Sequence, residues 1–134
     1  MNKIEHIGIA VKDLEKANLL YAKLFGEPHY KIEEVKSESV KTSFFKVGHN
    51  KIELLEATDD HSAIAKFIER KGEGIHHIAF DVDDIENEIK RLKAEGFNVI
   101  NEMPKKGADN KLVAFLHPKS TNGVLIELCQ EIKE

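Results

Sequence analysis

The chain repeats itself at half length, and that repeat limits its fold more than any other feature. Residues 6–16 read HIGIAVKDLEK and residues 77–87 read HIAFDVDDIEN. His6/His77, Ile7/Ile78, Val11/Val82, Asp13/Asp84 and Glu15/Glu86 all share one offset, 77 − 6 = 71. A repeat of this length implies two copies of one supersecondary unit related by approximate symmetry. A residue repeated on the unit's inner face therefore meets its twin near the axis. Here that residue is His, whose neutral imidazole is a common metal ligand.

The alternation of IEHIGIAV predicts a strand over residues 3–11. One face carries Glu5, Ile7, Ile9 and Val11, apolar apart from Glu5 at its edge. The other carries Ile4, His6, Gly8 and Ala10, mostly small, which suits an open face where something else must fit. Asp13 is placed to cap a helix with Leu14, Ala17, Leu20, Tyr21 and Leu24 on one stripe, ending at Gly26. Strands follow at 29–35, 39–47 and 51–57, with His49-Asn50 in a turn. The second unit repeats this order. HHIAFDV is a strand, Asp84 caps a helix ending at Gly96, and FNVINE, KLVAFLHP and GVLIELCQ are strands. A short helix capped by Ser62 and a Gly-rich connector lie between the units. The expected class is α+β: two βαβββ modules in tandem forming curved, mostly antiparallel sheets. The boundaries are one domain over 1–134, with a first module at 1–58, a helical linker at 59–74 and a second module at 75–134.

Composition fits one soluble globular domain of 134 residues, 41% hydrophobic and 33% charged. No apolar run approaches the roughly 18–20 residues that cross a bilayer. The N-terminus lacks a signal-peptide layout. The single Cys129 excludes an internal disulfide and fits a reducing cytoplasm. A net charge of −4 argues against a broad hold on nucleic acid, though not against a small anionic ligand.

Four residues recur at matching places. His6 and His77 lie on the first strand of each unit, and Glu53 and Glu127 on the last. Each Glu interrupts an apolar run, a costly position for a carboxylate unless it is paired or bound to a cation. Taken singly, each would read as an ordinary core or edge residue; their equivalence favours a metal centre. Two imidazoles and two carboxylates suit Co, Ni, Mn, Fe or Zn better than Ca or Mg. Only His77 is in register with His6, so His76 is expected on the opposite face. His29, His49 and His61 read as turn or surface residues. His117 reads equally as a pocket-mouth residue or a turn cap. Lys105, Lys106 and Lys119 are candidate phosphate contacts, set against the commoner role of solvated loop charges.

These residues resemble the vicinal oxygen chelate superfamily. HIGIAVKDLEKA, KIELLEA, SAIAKFIERKGEGIHHIAFDVDDI and KLVAFLHPKSTNGVLIEL together resemble its methylmalonyl-CoA epimerase family, from His6 to Leu128. The resemblance implies a homodimer and one divalent metal per chain, cobalt foremost, with nickel, manganese or zinc as alternatives. It also implies an acyl-CoA substrate whose C2 epimers interconvert through a metal-stabilised enolate. Two departures stand out. Position 53 is Glu where some epimerases place Gln, and Glu53 matches the ligand set of glyoxalase I. Some epimerases carry a catalytic carboxylate where Thr42, beside Lys41, stands here. In that chemistry Glu127 is the leading catalytic base and Glu53 the second, one for each face of a planar enolate. The competing readings are glyoxalase I and, from another class, a metal-free ligand-binding or resistance protein of the same fold.

Overall fold

A computed structural model describes residues 1–133. The chain divides into two compact units, His6–His76 and the chain from His77 onward together with Met1–Glu5.

In the unit His6–His76, strand β1 (Lys3–Ala10) contributes its residues from His6 on. Helix α1 (Leu14–Phe25), strands β2 (Lys31–Val35), β3 (Val40–Val47) and β4 (Asn50–Ala57) and helix α2 (Ala63–Lys71) follow. The strand order is β2-β3-β4-β1, with β1 parallel to β4 and the other pairings antiparallel. Asp13 caps α1 by accepting from the Lys16 N–H at 3.1 Å, and Gly26 closes it in the left-handed conformation that its φ of 78° requires. The buried face of α1 differs from the expected stripe. Leu14, Ala17, Tyr21, Ala22 and Phe25 pack on Val11, Phe45 and Leu54, while Leu20 and Leu24 are 63% and 69% exposed. The aromatic cluster turns the helix. Tyr21, Phe25 and Phe45 meet with ring centroids 5.5–6.4 Å apart. Those rings bury more area than the two leucines would. Ser62 caps α2, accepting from the Ala65 N–H at 3.0 Å.

The other unit contains β5 (Gly74–Asp81) from His77 on, α3 (Ile85–Ala94), the two-residue β6 (Lys105–Lys106), β7 (Lys111–Leu116) and β8 (Ile126–Glu131). The order is β5-β8-β7-β6, with β5 parallel to β8 and the rest antiparallel. Asp84 caps α3 by accepting from the Asn87 N–H at 3.1 Å. Ile85, Ile89 and Leu92 pack on Ala114, Leu116 and Leu128. The expected strand FNVINE does not form. It is reduced to an isolated bridge between Val99 and Leu116. The Asn101 side chain accepts from the Phe115 N–H at 2.9 Å, and the Ser120 hydroxyl accepts from the Asn98 N–H at 3.2 Å. Such side chain–backbone bonds displace a ladder. The left-handed residues Asn122 and Gly123 similarly delay β8 to Ile126. Among the described residues no helix is long and apolar enough to cross a membrane.

Candidate metal and catalytic residues

Strand alternation separates each carboxylate from its apolar neighbours. Ile52 and Leu54 pack with the α1 core, so Glu53 between them faces the other side of the sheet. Ile126 and Leu128 pack with α3, and Glu127 is likewise turned away. Each carboxylate then meets the histidine of its own unit. Glu53 Oε2 lies 3.0 Å from His6 Nδ1, and Glu127 Oε1 lies 3.2 Å from His77 Nε2. All four side chains are buried.

The surroundings of the two pairs repeat as well. Gly8 stands beside Glu53 in the adjoining strand, and its repeat partner Ala79 stands beside Glu127. These are small residues of the kind expected on an open face. Across the other edge, Phe44 opposes Glu53 and Phe115 opposes Glu127. The Phe115 ring meets His77 edge-on at 6.1 Å. The two phenylalanines are one repeat apart (115 − 44 = 71), a correspondence the sequence carries but the four-ligand pattern passes over. The pairs differ in one respect: His6 turns Nδ1 to its carboxylate and His77 turns Nε2.

A buried carboxylate needs a cation or a donor to offset lost hydration, and a neutral imidazole offers only part of that. Paired N and O donors on buried faces fit a borderline divalent ion. The residues therefore suit the metal that the sequence pattern implies.

The remaining histidines have other partners. His76 sets its ring edge-on to Phe67 at 5.0 Å. Burial, helped by the nearby Arg70 charge, pulls its pKa down to about 4. His29 contacts Phe45 at 6.0 Å between ring centroids, and His49 and His61 are exposed. His117 is a cap: its Nδ1 accepts from the Lys119 N–H at 3.0 Å at the start of a short 3₁₀ turn, Pro118–Ser120. Thr42 is buried on the Glu53 face of the sheet and is paired across β2 with Glu33. Lys105, Lys106 and Lys119 lie in exposed segments.

Two buried groups escaped the sequence pattern. Glu5, the charged residue at the edge of the otherwise apolar face of β1, is 3% exposed, with Lys111 Nζ 4.0 Å from its carboxylate. Cys129 is fully buried on β8, two residues beyond Glu127. Burial first, then the Glu127 and Glu5 carboxylates, push its thiol well above the usual range. A thiol so held stays protonated and unreactive.

A family model described as the glyoxalase/bleomycin resistance protein/dioxygenase superfamily matches residues 5–115. The uncharacterized protein YqjC of Bacillus subtilis is 38% identical, over 97% of this chain and 93% of that protein. The mitochondrial methylmalonyl-CoA epimerase of Dictyostelium discoideum is 42% identical, over 96% of this chain and 78% of its own length. Among solved structures, a variant methylmalonyl-CoA epimerase of Streptomyces coelicolor in complex with 2-nitronate-propionyl-CoA superposes with a TM-score of 0.94 at 32% identity. That match covers 98% of this chain and 95% of the other.

Proposed function

The chain belongs to the glyoxalase/bleomycin resistance/dioxygenase superfamily and, within it, with the epimerases; from that premise we propose that it interconverts the C2 epimers of methylmalonyl-CoA. The observation that carries this reading is the pair of equivalent buried contacts, His6–Glu53 and His77–Glu127. We read these four residues as ligands of a divalent metal, cobalt foremost. Bound there, the cation supplies positive charge against the negative charge that develops on the thioester oxygen.

The chain's own carboxylates handle the proton. Epimerisation removes the C2 proton from one face and returns one to the other, so it needs a base for each face, or one base with water. Glu127 is assigned as the principal base and Glu53 as the second. Phe44 and Phe115, beside the two carboxylates, keep water from them and hold the substrate's reacting end in place. Thr42, with no ionisable group, leaves the second role to Glu53. The protein acts as a homodimer in the cytoplasm on this reading.

A single C2 epimer of methylmalonyl-CoA, incubated with cobalt-loaded protein, tests the proposal. Conversion to the mixture of both epimers is expected. Persistence of the starting epimer, together with turnover of a methylglyoxal–thiol adduct, replaces the epimerase with glyoxalase I, which the Glu at position 53 also suits. Neither activity, in protein that takes up no cobalt when loading is attempted, favours a ligand-binding role.

A further inference from the structure

Helix α1 and strand β3 bring two polar side chains into an apolar interface. Asn18 is 8% exposed and Ser43 is fully buried. Asn18 Oδ1 and Ser43 Oγ find no hydrogen-bond partner among the described residues. Asn18 lies one turn from Leu14 on one side and from Ala22 on the other, and both of these pack in the core beneath the helix. Ser43 is two residues from Phe45 and directly opposes Leu54, so it shares the face on which those two pack against α1. Its other neighbour across the sheet is Ile32. Neither flanking strand therefore offers a polar side chain at that register.

The repeat shows what the fold requires at these two places. By the offset that relates Leu14 to Ile85 and Phe44 to Phe115, Asn18 corresponds to Ile89 (18 + 71) and Ser43 to Ala114 (43 + 71). Ile89 and Ala114 are both buried and belong to one packed cluster between α3 and its own strands. The same helix–strand contact is thus apolar in one unit and polar on both sides in the other. A buried oxygen left unmet loses its hydration with nothing in return, so the polar pair is a cost unless a third group meets both members. Water is the smallest group that donates to one oxygen while accepting from another. Buried waters sit where two to four polar groups converge.

We propose that Asn18 and Ser43 hold one buried water between α1 and β3. The water donates to Asn18 Oδ1 and accepts from the Ser43 hydroxyl, so each buried group gains the partner that the surrounding side chains do not supply. The site lies behind the face that carries Glu53, because Ser43 alternates with Thr42 and Phe44, whose side chains point to the Glu53 side. The bridge ties α1 to the sheet at one rotation, in keeping with the inward turn of Tyr21 and Phe25. Its role is structural, so it stands or falls independently of the reaction assigned above.

A double-mutant cycle reads the bridge. Ser43→Ala deletes one hydroxyl with little change of shape. A water held by both groups predicts that this variant lowers the folding equilibrium constant about tenfold, the loss of roughly one hydrogen bond. In the Asn18→Ala background the water has already lost one of its two partners, and the same substitution should have little effect. Urea denaturation of the parent, the two single variants and the double variant gives both values. Were the two oxygens simply unmet, Ser43→Ala would raise the folding constant in either background, since it removes a buried polar group without a partner. That sign, or equal losses in both backgrounds, would overturn the proposal. A high-resolution crystal structure of the parent is the second measurement. Density for one water within hydrogen-bonding distance of both Asn18 and Ser43 is expected. A direct Asn18–Ser43 hydrogen bond, or no water shared by the two residues, would overturn it.

Discussion

His77 turns Nε2 to Glu127, at 3.2 Å, whereas its repeat partner His6 turns Nδ1 to Glu53, at 3.0 Å. The same residue pair is built twice with opposite ring nitrogens facing the carboxylate. The two contacts are therefore alike in partner but not superposable, and His76, whose ring packs edge-on against Phe67, belongs to neither.

Loss of any one of His6, Glu53, His77 or Glu127 to Ala should lower divalent-metal content from one ion per chain toward none. His76→Ala should bind metal like the parent, because its ring is engaged with Phe67. Elemental analysis after dialysis distinguishes these outcomes. Two ions per chain, one lost with each pair, would mean that the pairs act separately.

Chelation should remove activity and leave the secondary structure intact. Each unit has its own packed core, Val11, Leu14, Phe45 and Leu54 in one and Ile85, Ile89, Leu92 and Leu128 in the other. A metal that was the fold's staple would take the structure with it. Far-ultraviolet circular dichroism and turnover, read on one sample before and after chelation, check both halves.

Core and surface leucines and isoleucines should separate sharply. Ile85→Ala removes a fully buried side chain and should cost about 2–5 kcal/mol of unfolding free energy. Leu24→Ala, on the outward side of α1, should stay within about 0.5 kcal/mol of the parent. Urea denaturation measures both. A large loss for Leu24→Ala would restore the apolar stripe that the sequence periodicity suggests.

His76 gives a pH dependence of known sign. Its pKa falls from the usual 6.5 to about 4 in the folded protein. Below pH 6.5 the unfolded chain takes up this proton more readily than the folded one, so stability drops as pH falls from 6.5 toward 4. Above that window His76 contributes no slope. His76→Gln should flatten this part of the stability–pH curve, measured by denaturant titration at pH 7 and pH 5. An unchanged slope would place the effect elsewhere.

The caps and the repeat were legible from residues alone, because they rest on local chemistry. Asp13, Ser62, Asp84 and Gly26 do what their side chains, or the lack of one, dictate. The strands that bear His6, Glu53, His77 and Glu127 follow from period-2 patterning. Tertiary competition was not legible. The Leu20 and Leu24 positions lose to the larger Phe25 and Tyr21 faces. FNVINE has strand composition, but Asn101 spends its side chain on the Phe115 N–H.

Glu127→Gln keeps an oxygen donor but cannot accept a proton as a carboxylate does. Its kcat should fall roughly 100- to 10,000-fold with metal content preserved. Thr42→Glu, which adds a carboxylate to the Glu53 face, should raise exchange in a Glu53→Gln background. If Glu127→Gln works at the parent rate, Glu127 is a ligand alone and the base lies at Glu53 or a water.

Proton NMR of methylmalonyl-CoA in heavy water, with the metal-loaded protein, reads the proton transfer at C2 itself. The C2 proton signal is expected to disappear and the methyl doublet to collapse as deuterium enters, with no other bond changed. A C2 proton that persists in the presence of metal-loaded protein, while a methylglyoxal–thiol adduct is isomerised, would contradict it.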